Sequence, residues 1–134
     1  VARAAAIAGQ WRLLVVAVDS CSDSVSTVPW IAKLADQLPN LELRVVLPEV
    51  GRAVMEAHRT PDGRAATPTV VLLDETGALR GCFIERPPAL RTHLDSLSGM
   101  ERKMAWYAAD AGRQTVTEMV TMLEAAAAGG MQCR

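Results

Sequence analysis

Cys21 is the residue in this chain best placed for chemistry. It stands in Val15-Val16-Ala17-Val18-Asp19-Ser20-Cys21-Ser22-Asp23-Ser24, where an apolar run gives way to a serine-rich turn and then to helical spacing. A helix N-terminus carries partial positive charge and free N–H groups, and both favour thiolate over thiol. A thiolate attacks a disulfide to form a mixed disulfide, which a second thiol then resolves. A dithiol motif would place that second cysteine at position 24, but this chain has Ser24. The Ser24 hydroxyl can donate to the thiolate and favour it. Asp23 opposes this through like charge, unless its carboxylate caps the helix instead. Whether Cys21 is a working nucleophile or an inert cap is open at this level.

The other reactive side chains read more plainly. Cys82, in Gly81-Cys82-Phe83-Ile84, is expected inside a strand as a small buried hydrophobe, with resolution of a Cys21 adduct as its alternative role. Cys133 falls on a short tail that is expected to fray. Three widely separated cysteines are not a disulfide framework, and they point to a reducing, cytoplasmic setting. Neither His58 nor His93 has a neighbour at zinc-ligand spacing, so no metal is expected. Arg52, Arg59 and Arg64 could bind the carboxylates of a small thiol, or simply belong to a solvated loop.

Composition narrows the remaining classes. The chain has 134 residues, 14 basic and 15 acidic, for a formal charge of -1. Such a balance favours neither nucleic acid nor an anionic membrane. No apolar stretch reaches the roughly 18 residues of a membrane-spanning helix. The opening Val1 to Ile7 is too short and too weakly apolar for a signal peptide. The length suits one domain over 1–134.

The elements that must position Cys21 follow from periodicity. Trp11 to Val18 reads as a strand buried on both faces. Ile31, Leu34, Ala35 and Leu38 then share a helix face, ended by Pro39-Asn40. Leu41 to Leu47 is a second strand, parallel to the first through the intervening helix. Val50, Val54 and Met55 mark a short helix. Thr69 to Leu73 and Ala78 to Glu85 are strands joined by the turn Asp74-Glu75-Thr76-Gly77. Pro87-Pro88 opens a helix through about Leu97. Helical spacing resumes at Met100, with Met104, Tyr107 and Ala111 on one face, and continues through Leu123 to Gly129-Gly130.

The order β-α-β-α-β-β-α, with cysteine at the first strand-to-helix junction, resembles the thioredoxin-like fold. Pro29 inside the first long helix and Ala66-Thr67-Pro68-Thr69 before the third strand strengthen the resemblance. A proline there sits awkwardly in a ladder, and a cis bond resolves the conflict. The chain also resembles bacterial thioredoxin family proteins with a WCGDS- or WCGDA-like site and a C-terminal helical extension. The matching residues are Ser20 to Ser24, Pro29, Thr67-Pro68, Leu72-Leu73-Asp74, Gly77, Arg86-Pro87, Trp106-Tyr107, Asp110 and Gly112. Ser20 and Ser22 depart from the tryptophan and glycine of that pattern.

The resemblance implies a four-stranded mixed sheet with a core over about 11–98 and a helical extension over about 100–128. It further implies a monothiol catalytic site, with Cys21 as the nucleophile and Ser24 as the residue whose hydroxyl donates to its thiolate. Ser22, Asp23, Thr67 and Pro68 would contact an extended partner. Partners would be protein or small-molecule thiols and disulfides, with no cofactor, and oligomeric state is left open. A non-catalytic peptide-binding module is the alternative, and glutathione-dependent cluster binding a third reading that lacks its motif. Trp106, Tyr107 and Asp110 are expected to dock the last helix on the sheet.

Overall fold

The computed structural model describes residues 2–95 and 97–134. After a one-turn helix, α1 (Ala2–Ala5), the chain enters β1 (Trp11–Val16), α2 (Ser22–Gln37) and β2 (Leu41–Val46). Next come α3 (Pro48–Ala57), β3 (Thr69–Asp74) and β4 (Leu79–Ile84). Helices α4 (Pro88–His93), α5 (Met100–Asp110) and α6 (Arg113–Ala127) lead to a last short strand, β5 (Gln132–Cys133). No helix among the described residues is long and apolar enough to cross a membrane.

The sheet order is β2-β1-β3-β4-β5. β1 runs parallel to β2, with Trp11 opposite Leu41 and Val16 opposite Val46. On its other side it runs antiparallel to β3, with Val16 opposite Thr69. The apolar run of β1 is explained by that central position, since helices cover both faces. Leu13, Val15, Val70, Leu72 and Phe83 meet Ile31 and Leu34 of α2 and Met119 and Leu123 of α6 in one core. Val16 points to the opposite face, against α3. There a Cβ added at Gly51 would lie 2.4 Å from Val16 Cγ2, so only glycine lets that helix approach.

This is the mixed α/β architecture expected of a thioredoxin-like fold, with one strand more than anticipated. Residues 131–134 do not fray. Arg134 N–H donates to Cys82 O (3.1 Å) and Ile84 N–H to Arg134 O (3.0 Å), which adds β5 in parallel to the β4 edge. A two-residue strand lies below any periodicity signal, because β alternation needs several residues to show. The helix opened by Pro88 also ends earlier than its pattern suggests, at His93. Beyond it the Asp95 carboxylate accepts from Leu97 N–H (2.9 Å) and Ser98 Oγ (3.1 Å), a local turn that competes with helix. The turn after β3 forms as expected. Asp74 Oδ1 takes the N–H groups of Thr76 (2.9 Å) and Ala78 (3.1 Å), and Oδ2 takes Arg80 Nε (2.9 Å).

Candidate functional site

Cys21 is the N-cap of α2, with extended backbone at φ -95° and ψ 124°. Its half-buried sulfur accepts from Ser24 N–H at 3.5 Å, and its thiol donates to the Thr67 carbonyl at 3.3 Å. The first bond answers one of the orphan donors of the helix end. The second joins the helix to the loop before β3, where the Thr67–Pro68 peptide is cis. Cys21, Ser22, Asp23, Ser24, Thr67 and Pro68 are therefore gathered at one end of the sheet.

Burial pushes the Cys21 thiol up, while the side chains of Thr67 and Ser24 and the N–H groups of Ser24 and Asp23 push it down. The net direction is downward. Ser24 Oγ is itself buried and has no hydrogen-bond partner in the thiol geometry. That hydroxyl is free to turn to the sulfur when the sulfur carries charge, which accounts for its share of the downward shift.

Asp23 plays a part that sequence reasoning missed. It neither repels the sulfur from solvent nor caps α2. The side chain is 4% exposed and points inward. Its Oδ2 meets Arg86 Nη2 and Lys103 Nζ, each at 3.0 Å, and its Oδ1 accepts from Tyr107 Oη at 2.6 Å. Burial, then the bond to Asp23, pushes the Tyr107 hydroxyl up, so it remains a donor. Two cations and a phenol thus cancel the charge that would oppose a thiolate next door. Arg86, whose role the sequence leaves unassigned, is one of these partners. Tyr107 docks α5 onto the first turn of α2 rather than onto the sheet. Asp110 instead accepts from Gln114 N–H (3.1 Å) at the start of α6.

A second ion pair secures the cis-proline loop. Glu85, at the end of β4, holds a left-handed φ of +70°, which a non-glycine residue adopts only when its surroundings enforce it. Its N–H donates to the Pro68 carbonyl at 2.7 Å, and its carboxylate takes both Arg64 nitrogens, at 2.9 and 3.1 Å. Arg86 Nε also lies 3.3 Å from Glu85 Oε1, but out of line for a hydrogen bond. Arg64 and Arg59 are consequently engaged within the protein, Arg59 by Glu56 and the Gly63 carbonyl. Arg52 alone of the three expected arginines has no such partner among the described residues.

The other two cysteines overturn expectation. Cys82 is buried in β4 but bonded to Cys133 as a disulfide across 51 residues of chain. Cys21 is the free cysteine. Sequence separation hid the pair, because the parallel register of β5 on β4 sets Cys82 directly beside Cys133. His58 also has neighbours that linear spacing did not show. One ligand atom each from His58, Cys82 and Cys133 lie within 4.8 Å of one another.

An open groove of about 540 Å³ runs past Asp19 and Ser24 and is otherwise lined by Ala17, Val18, Val25, Val28, Pro29, Val45 and Leu47. Val25, Val45 and Leu47 are exposed there.

Comparisons with known proteins agree with this fold. Among solved structures, the chain is similar to a protein of unknown function, PA1234, from Pseudomonas aeruginosa. The TM-score is 0.74 at 24% identity, over 92% of this chain and 70% of that one. It is also similar to an HIV epitope-scaffold, with a TM-score of 0.72 at 23% identity, over 92% and 71% of the two chains. An N-terminal domain of the alkylhydroperoxide reductase AhpF from Enterococcus faecalis gives 0.51 at 19% identity, over 68% of this chain and 42% of that one. These likenesses show the fold. No curated protein matches the chain. A family model described as Thioredoxin matches residues 1–98, which hold every strand but the last and every residue of the Cys21 loop. The chain belongs to that thioredoxin family.

Proposed function

We propose that this protein carries out thiol–disulfide exchange of the monothiol type through Cys21. The observation that carries the reading is the placement of the sulfur at the N-cap of α2, opposite the Thr67 carbonyl, with its ionisation favoured by surrounding donors. The Cys21 thiolate attacks one sulfur of a partner disulfide, forming a mixed disulfide and releasing the other sulfur as thiolate. Ser24 supplies no resolving thiol, and Cys82 and Cys133 are held by each other. A second external thiolate therefore attacks the partner sulfur of the adduct and returns Cys21 as the leaving thiolate. The partner is a protein or small-molecule disulfide, lying along the Thr67-Pro68 loop as an added strand does.

The test is alkylation of Cys21 across pH. The rate should titrate below the value of free cysteine, about 8.5. Cys21→Ser should fail to trap disulfide partners that the wild type holds. An unshifted titration, with binding of the same partners retained in Cys21→Ser, would favour the non-catalytic binding module instead. The largely apolar groove that runs past Ser24 is the observation in favour of that second reading.

A further inference from the structure

We propose that Cys82, Cys133 and His58 form a redox-gated site for a soft divalent cation of the zinc class. The site closes when the two cysteines are oxidised to the disulfide and opens when they are reduced.

The three residues come from three separate elements. Cys82 is at the middle of β4, Cys133 on β5, and His58 at the C-terminal cap of α3. Their ligand atoms already share a 4.8 Å envelope. Among the described residues, no hydrogen bond or ion pair engages the half-buried His58 ring, so its nitrogens are not committed elsewhere. Two thiolates and an imidazole are a donor set that zinc accepts in tetrahedral geometry, with the fourth position left to water or another ligand.

The arrangement does not depend on the disulfide for its assembly. β5 is tied to β4 by Arg134 N–H to Cys82 O and Ile84 N–H to Arg134 O. Gln132 Nε2 is anchored on α6 by Thr121 Oγ1 (3.0 Å) and Glu118 Oε2 (3.1 Å), and Arg134 pairs with Glu118 at 3.4 Å. After reduction these contacts keep Cys133 in register with Cys82. The sulfurs need only separate from bonding distance to the edge of a coordination tetrahedron. Cys133 is exposed and on a two-residue edge strand, so it can make that adjustment, whereas Cys82 is buried within the sheet.

The chemistry balances with an external thiol as reductant. Two thiols, or one dithiol, give two electrons and two protons to the Cys82–Cys133 bond and leave as a disulfide. The cation then displaces the two thiol protons and binds the two sulfurs and a neutral His58 nitrogen. Oxidation of the pair removes both sulfur ligands at once and releases the cation. The site is independent of Cys21 and survives failure of the exchange reading.

The experiment uses the full chain in a Cys21→Ser background, so that no other thiol competes. It is titrated with Co²⁺ and then Zn²⁺, once after reduction by a phosphine and once as the disulfide. The reduced protein should take one Co²⁺ with a thiolate charge-transfer band, which Zn²⁺ displaces. The disulfide form should show no such band. His58→Ala should weaken Co²⁺ binding by more than about 100-fold, beyond the loss typical of an outer-shell partner. Cys133→Ser should abolish the dithiolate spectrum. Equal binding by the oxidised form, no binding by the reduced form, or unchanged affinity in His58→Ala would each overturn the proposal.

Discussion

Replacing Tyr107 with phenylalanine removes one oxygen from the buried cluster under Cys21 and tests whether that cluster is a unit. The ring is 7% exposed and stays packed edge-on against Trp106, at 5.7 Å between centroids, so the change is confined to the hydroxyl. What is lost is a 2.6 Å bond to a carboxylate on a side chain that is itself 4% exposed. Hydrogen bonds to charged groups are worth roughly 1.5–3 kcal/mol. Oδ2 keeps both its cations, so the lower half of that range applies, and we expect a loss of about 2 kcal/mol. A chain of this length should then melt about 7 °C lower. Urea unfolding, with all variants in the same disulfide state, should show a lower midpoint at unchanged slope.

The decisive comparison is a double-mutant cycle. In an Asp23→Asn background, whose own cost should be about 3 kcal/mol because two cations lose their carboxylate, the Tyr107→Phe step should cost less than about half as much. The pH dependence has a definite sign. The folded-state value of Tyr107 lies above its unfolded value of about 10, so the bond's contribution is complete below pH 10 and is lost only as pH rises further. The cost of Tyr107→Phe should accordingly be flat from about pH 6 to 9. A cost below about 0.5 kcal/mol, or an equal cost with and without Asp23, would refute the view that Asp23 anchors α5.

Gly112→Ala should cost about 3 kcal/mol or more by thermal or urea unfolding. It meets a φ of +77° and a Cβ position 2.2 Å from Trp30 Cδ2, so indole and helix must both shift. Ser24→Cys should create a dithiol at the head of α2 and raise disulfide reduction above the wild-type level in a dithiothreitol-coupled assay; no gain would show the site unable to receive a disulfide substrate. Acid should weaken the loop before Pro68. Asp62 is held down to about 2 by Arg64 and Thr60, so its stabilising effect is present above about pH 4 and lost as pH falls towards 2. Asp62→Asn should flatten that part of the acid unfolding profile.

Patterns that repeat along the chain were readable from sequence because each element carries its own signal. The continuous apolar run of β1 follows from helices on both faces, and the Asp74 turn from a carboxylate that bonds two N–H groups locally. Cys21 at a helix start and Pro68 before a strand are likewise local features. Position 24 settles, from the sequence alone, that no CxxC pair exists. The partners of these residues could not be read in the same way. Asp23 is joined to Arg86 and Lys103 over 63 and 80 positions. Nothing in the spacing distinguishes those two cations from solvated ones. Glu85 gives no sign that it will adopt a left-handed backbone. The Cys82–Cys133 bond and the approach of His58 depend on a strand two residues long that gains its shape only by pairing with β4. Local chemistry is written in adjacent residues, so the elements and the placement of Cys21 at a helix start were legible in the unfolded chain. Charge compensation, disulfide pairing and the His58 cluster rest on distances that exist only after the sheet has closed.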